Sequence, residues 1–348
     1  MARAAVWVER GVGETRAAYL EADRVIEIAH RRWDEGALCV GTVIEARLAS
    51  LAPAMGGAFV ALPAGPDGFL PLKPEHGLGE GARVVVRIAA EAHAEKGPRL
   101  KRADDAEPGP APPVETALAR RCGAERIVEI AVASAESRAL DVAVERALSP
   151  SLALPQGGRL WIEPTRALTA IDVDGGGRLG GRPARSANLA AVTLIAAQLR
   201  LRGIGGLVVV DFISQGLKSR AAQDELAAAA KAAFAADPSP VRFAPLSRFG
   251  VLELTRERLG PSLAERLAPE GALSTESLAL DALRGLEREG RANPGSRLRL
   301  DAHHAVIDWL ERAPFDWRGA LTDRLGARFD IAAEPSYPKG QVLVSADR

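Results

Sequence analysis

The chain has 348 residues, 47% of them hydrophobic and 26% charged, with 45 Lys plus Arg against 45 Asp plus Glu. That length exceeds one ordinary core and suits two or three packed units. The apolar share offsets the ordering entropy that leaves polar chains disordered, and the balanced charge excludes a global positive field for nucleic acid. Any nucleic-acid binding must come from local patches, and a 4% aromatic content leaves few rings for stacking on bases. Cys39 and Cys122 are the only cysteines, too few for a disulfide framework or a thiolate zinc site. No segment approaches the ~18–20 uninterrupted apolar residues of a membrane span, so a cytoplasmic protein without a membrane partner is expected.

Residues 4–28 read as short alternating strands, Ala4–Glu9, Thr15–Leu20 and Arg24–Ile28, which are too few to close a core and need strands from elsewhere. From Gly36 to Arg102 the runs LCVGTVIEARL, GGAFVALP, DGFLPLK and ARVVVRIAAEA predict five or so short antiparallel strands, with Cys39 in the first. Such spacing fits a small closed barrel of the OB type. ADDAEPGPAPP, residues 103–113, has the composition of a solvated linker. Beyond it the pattern predicts a helix at Val114–Cys122, a strand at Arg126–Ala131, a helix at Ser134–Leu148 and a strand at Gly158–Glu163.

A β-α-β unit follows: strand Leu168–Asp174, a glycine-rich turn through Gly181, helix Asn188–Leu201 and strand Gly206–Ile213. An alanine-rich helix is expected at Leu217–Ala235, then an alternating segment at Val241–Arg258. Residues 274–348 read as helix, strand, helix, strand, strand, a small α+β unit.

In Ile171-Asp172-Val173-Asp174 a period of two sends both aspartates to one face. Leu207-Val208-Val209-Val210-Asp211 is a continuous apolar run of the kind buried on both faces, ending in a carboxylate. If the helix between the strands makes them parallel neighbours, Asp211 stands beside Asp172 and Asp174. Carboxylates without Cys or His describe a hard-cation site, with Mg²⁺ as the usual occupant and Mn²⁺ as a substitute, and such an ion beside a phosphodiester suggests its hydrolysis. Asp before Gly175-Gly176-Gly177 is equally an ordinary turn former, and an Asp ending a strand is often a cap; spacing alone does not separate these readings. The five histidines offer no acid–base pair: His303 and His304 diverge if helical, and His30, His76 and His93 are expected at the surface.

ALTAIDVD (167–174), ANLAAVTLIAAQLRLRGIGGLVVVDFI (187–213) and SRFGVLELTRERLGPSL (247–263) resemble, in this order and nearly without gaps, the catalytic core of the ribonuclease E/G family. The resemblance implies an endoribonuclease acting on single-stranded RNA, with Asp172 and Asp211 as Mg²⁺ ligands and Asp174 where relatives carry an assisting Asn. It implies α/β architecture with an inserted barrel: an RNase H-like subdomain (1–35 and 114–154) interrupted by an OB-type RNA-binding barrel (36–102) and linker (103–113). A DNase I-like catalytic subdomain (155–265) and the small α+β domain (274–348) complete it. GTVIEARLASLAPAMGGAFVAL and DGFLPLK extend the resemblance to the barrel, where Phe59, Phe69 and Lys96 match positions that contact RNA, and Arg83, Arg87, Arg99, Lys101 and Arg102 are candidates for phosphates. Without the resemblance, Phe in GAFVAL or GFLPL reads as barrel core.

Three departures from the family stand out. The second strand continues Asp211-Phe212-Ile213-Ser214 where relatives continue with Asp. Residues 103–150 are too short for the family's sensor of the RNA 5′ monophosphate and lack its Arg-Thr signature, implying activity largely independent of the 5′ end. AERLAPEGALS lacks the zinc-binding cysteines, so no structural zinc is expected, and a monomer or a homodimer without a zinc link is implied. A non-catalytic RNA-binding protein on the same fold is the alternative.

Overall fold

The structure, a computed structural model, describes residues 4–33, 38–73, 77–93, 96–155, 157–176 and 181–347. The expected barrel start at Gly36, His76, and residues 177–180 of the glycine-rich turn lie outside them. The chain is mixed α/β and divides into two compact units, residues 1–143 with 264–348, and residues 144–263.

In the first unit β1 (Ala5–Arg10), β2 (Glu14–Glu21) and β3 (Arg24–Arg32) form an antiparallel meander. The partner it needs arrives after the barrel: β9 (Arg126–Glu129) pairs parallel with β1, giving the order β3-β2-β1-β9. Helix α1 (Val114–Cys122) places Val114, Leu118 and Ala119 against Val6, Ala17 and Tyr19.

Between β3 and α1 lie β4 (Val43–Ala52), β5 (Gly57–Ala61), β6 (Gly68–Pro71), β7 (Arg83–Ala90) and β8 (Arg99–Arg102), closed in the order β4-β5-β6-β8-β7. Alternation sends Leu48, Ala58, Val60, Leu70, Val84, Val86, Ile88 and Leu100 inward. Two expectations are corrected. The barrel is not wholly antiparallel, because β6 meets β8 in parallel through Phe69 and Arg99. Cys39 sits in a buried bend ahead of β4 rather than in a strand, because Gly41 at φ +98° turns the chain there.

The second unit begins within α2 (Ala135–Leu148) and holds β10 (Ser151–Ala153), β11 (Arg159–Pro164), β12 (Thr169–Asp174), α3 (Gly181–Leu201), β13 (Gly206–Asp211), α4 (Arg220–Ala233), β14 (Val241–Phe243) and β15 (Val251–Arg256). Its sheet runs β10-β11-β12-β13-β15-β14. One face, carrying Leu160, Ile162, Ile171, Val173, Val208, Val210, Leu252 and Leu254, packs on Val192, Ile195 and Leu199 of α3 and Leu226 and Ala230 of α4. The apolar run of β13 is therefore buried on one face only: Leu207 is 39% exposed and Val209 half-buried.

Residues 264–348 return to the first unit. They form α5 (Leu263–Leu267, whose first residue closes the second unit), α6 (Thr275–Ala292), β16 (Arg297–Ala302), α7 (His304–Glu311), α8 (Trp317–Leu325), β17 (Phe329–Ala333) and β18 (Val342–Asp347). This adds one helix, α8, to the expected set; Asp316 caps it by accepting from the Gly319 N–H at 2.8 Å. Their apolar core gathers Leu283, Leu286, Leu298, Leu300, Val306 and Leu321.

A buried ionic network joins α6 to the N-terminal strands. Arg284 meets Glu14 at 2.6 Å, Arg32 donates to Ser277 at 2.8 Å, Arg16 bridges Glu9 and Asp141 at 2.7 Å each, and Arg288 reaches Asp141 at 2.7 Å. His30, expected at the surface, is buried here with Nδ1 3.2 Å from Glu14; alternation on β3 turns it inward among these charges. Burial pushes the Glu14 carboxyl upward, but His30, Arg284 and Arg32 outweigh it and hold it well below the usual range. Burial also pushes His30 below its ordinary value, and Arg16 and Arg284 add to the lowering against the pull of Glu14.

Candidate active site

Strand β12 exposes Ala170, Asp172 and Asp174 on the face opposite Ile171 and Val173, as period two requires. Strand β13 lies parallel beside it with Asp172 opposite Asp211, the neighbouring placement the two sequences predict. The cross-strand row reads Trp161 on β11, Asp172, Asp211, then Val251 on β15. A cavity of about 450 Å³ opens over this row, lined by Trp161, Glu163, Ala170, Ile171, Asp172, Val209 and Asp211.

Asp172 sits above the ordinary aspartate range, first because the cavity wall desolvates it and then because Asp211, Asp174 and Glu163 repel its charge. A cation between Asp172 and Asp211 would relieve that repulsion, and Mg²⁺ is commonly held by one or two carboxylates, with waters and phosphate oxygens completing its shell. The donor set suits that ion. Among the described residues no group of three or more His, Cys, Asp or Glu side chains lies close enough to enclose a metal. Asp174 is beside the cavity rather than in its lining, and its Oδ1 accepts from the Gly176 N–H at 2.9 Å, the turn-forming role open to it from sequence.

The end of β13 is fastened from α3. Buried Asn188 donates from Nδ2 to the Ile213 carbonyl and accepts the Ile213 N–H at Oδ1, both at 3.0 Å. This pair clamps the backbone two residues after Asp211. Asn188, Glu163 and Trp161 carry no local mark of a role at this site. Alternation in RLWIEP puts Trp161 and Glu163 on one face, but the cross-strand register that sets them beside Asp172 is not local. Ser214 lies in a short 3₁₀ turn, with its hydroxyl 3.3 Å from Gln215 Oε1.

On the barrel, Phe59 and Phe69 lie on the outer surface, not in the core. Their rings pack edge to face at 5.7 Å, and Gly57 makes this possible: a Cβ there would lie 2.7 Å from Phe69 Cζ. Arg99 stands next to Phe69 in register, and Lys101 opposite Arg87, so the rings border a basic strip. Lys96 is exposed beside β8. Arg102 is exposed and pairs with Asp104 at 2.8 Å, and Arg83 with Glu45 at 3.2 Å.

His303 and His304 do not diverge: His303 caps α7, accepting the Ala305 N–H at 3.1 Å, and its ring centroid lies 4.0 Å from that of His304. Among the described residues no helix is long and apolar enough to cross a membrane.

The α/β sheet thus gathers carboxylates on its open face where parallel strands end, a donor set of the kind that suits a hard cation. Residues 123–259, which carry Asp172, Asp174, Asp211 and Asn188, match the Ribonuclease E/G family. It is 38% identical to Ribonuclease E of Escherichia coli (strain K12) over 160 residues, 42% of this chain and 15% of the relative. It is 42% identical to Ribonuclease E of Nostoc sp. over 130 residues, 36% of this chain and 19% of the relative. With the Ribonuclease E/G-like protein of Porphyra purpurea the identity is 36% over 175 residues, 49% of this chain and 33% of the relative. The chain thus spans a third or less of these relatives' length, and the barrel and residues 264–348 lie outside the family match.

Proposed function

We propose that the chain is a Mg²⁺-dependent endoribonuclease that hydrolyses single-stranded RNA, leaving a 5′ phosphate and a 3′ hydroxyl. The observation that carries this reading is the register of β12 on β13, which sets Asp172 against Asp211 over an open cavity. These two carboxylates hold the ion, with Mn²⁺ as a substitute, and Asp174 supports them from the turn. When bound, the divalent ion supplies Lewis-acid chemistry, acidifying water and neutralising charge that gathers on the phosphate. Asn188 keeps the end of β13, and with it Asp211, in place. Phe59 and Phe69 offer ring faces to bases, worth about 1–3 kcal/mol each irrespective of sequence, and Lys96, Arg99, Lys101 and Arg102 offer cations to the backbone.

Under this reading the four-stranded sheet is RNase H-like and the six-stranded one DNase I-like. Cleavage depends little on the 5′ end, and the protein acts in the cytoplasm as a monomer or as a homodimer that needs no zinc. The test is incubation of the purified chain with a fluorescent single-stranded RNA in Mg²⁺ and in EDTA, beside Asp211→Asn. Cleavage in Mg²⁺ alone, lost in the variant, is expected; RNA binding with no cleavage in Mg²⁺ or Mn²⁺ would leave the non-catalytic RNA-binding protein instead.

A further inference from the structure

The centre of the open sheet face is hostile to RNA, since Glu163, Asp172 and Asp211 line the cavity with Asp174 beside them. An arginine stacked on an aromatic ring occurs on β11, next to β12, and another in the loop that leads into β15, next to β13. On β11 the Arg159 guanidinium lies 5.6 Å from the Trp161 ring centroid, and its Nη2 donates to Ser151 Oγ at 2.6 Å. In the loop between β14 and β15 the Arg248 guanidinium lies 4.7 Å from the Phe249 centroid.

Phe249 is 73% exposed, in a chain with only eight phenylalanines. Its loop is nonetheless tightly tied: Ser247 Oγ accepts from the N–H groups of Phe249 at 3.3 Å and Val251 at 3.2 Å, and the Gly250 N–H reaches the Ser247 carbonyl at 3.0 Å. Val251 is the cross-strand partner of Asp211, and Trp161 that of Asp172. Neighbouring strands lie about 4.8 Å apart, so the row from Trp161 to Val251 spans about 15 Å, with the acid pair between. That is the scale of a few nucleotides of extended single strand.

We propose that Trp161 and Phe249 form a paired stacking subsite for the nucleobases on either side of the scissile phosphate, with Arg159 and Arg248 meeting the flanking phosphates. The subsite rests on the endoribonuclease reading and deepens it. The carboxylates themselves repel a polyanion, so beyond the one phosphate a cation would meet, grip at the cut must come from groups beside them, and each ring gives a sequence-tolerant contact and each guanidinium a charge. It is distinct from the barrel surface, which lies in the other unit.

The test compares Trp161→Leu and Phe249→Leu, which keep apolar bulk and remove the ring face. Cleavage of single-stranded RNA by each is expected to show KM raised roughly tenfold with kcat changed less than about threefold. In the unsubstituted chain, removing the base next to the cleavage site should reproduce the loss, while the variants should be indifferent to that removal. Unchanged KM in both variants, or equal sensitivity to the missing base in variant and parent, overturns the subsite. A second readout needs no turnover: RNA carrying 2-aminopurine next to the cleavage site, or at successive positions if no site is cut, bound to Asp211→Asn. Quenching released by Phe249→Leu or Trp161→Leu sustains the subsite even if no RNA is cut, and quenching indifferent to both substitutions refutes it even if RNA is cut.

Discussion

Two carboxylates in this molecule, Glu14 and Asp172, are moved in opposite directions by their surroundings. Glu14 is buried and ringed by Arg284, Arg32 and His30, and its carboxyl is held far down in the acid range. Asp172 opens on a cavity whose neighbouring charges are Asp211, Asp174 and Glu163, and its carboxyl is pushed up. Burial opposes the charged form in both cases; the sign of the neighbours decides the outcome. A carboxylate that only holds a fold together is matched by guanidinium in contact, whereas one kept for a ligand is left facing its own kind.

The difference can be broken from either side, and the largest effect is expected at Glu14. Arg284→Ala leaves a buried carboxylate short of its closest cation and should destabilise the chain by about 3–5 kcal/mol; a loss under about 1 kcal/mol in urea unfolding would show that the network is not what it appears from its geometry. At the other carboxylate, Asp172→Asn should lower kcat/KM for single-stranded RNA by about a hundredfold or more, corresponding to at least ~2.7 kcal/mol. The same variant should leave the metal-free chain as stable as its parent or slightly more so, since it removes a repelled charge. A fall in its Tm in EDTA would mean that Asp172 is structural after all.

Asn188→Ala removes both bonds that clamp Ile213 and should destabilise the second unit by about 1–3 kcal/mol. Asn188→Asp tests the geometry further, because its side chain accepts the Ile213 N–H but cannot donate to the carbonyl; cleavage should fall with little change in RNA binding. The smallest effect is a pH dependence. Burial holds His30 below its ordinary value of 6.5, so the unfolded chain takes up that proton at a higher pH than the fold does, and stability declines as pH drops below about 6.5. Glu14, depressed instead, keeps contributing until far lower pH. His30→Gln should flatten unfolding midpoints between pH 6.5 and 5, and an unaltered slope there would assign the loss to other groups.

Much of the second unit was legible because its signals are local. The alternation Ile171-Asp172-Val173-Asp174 and the switch to helical period before Val208-Val209-Val210-Asp211 named both strands and the face the acids take. The rest depended on partners distant in sequence. Leu207 and Val209 read as doubly buried because an apolar run does not say that both helices pack on one face. Phe59 and Phe69 read as barrel core from their own runs, and only the closed barrel, whose pleat turns them outward, decided otherwise. His30 read as surface because a polar residue on a strand carries no mark of Glu14 and Arg16 on the neighbouring strand or of Arg284, which arrives from α6.

By itself, then, the amino-acid order determined which residues alternate, where helices and turns fall, and that three aspartates punctuate two strand ends. Only the folded chain decided that Asp172 meets Asp211 while Asp174 bonds to Gly176, that Trp161 joins their row, and that Glu14 is neutralised rather than exposed. The physical reason is range: backbone periodicity is set by nearest neighbours along the chain, whereas register and charge environment are set by strands and helices that sequence separates and packing brings together.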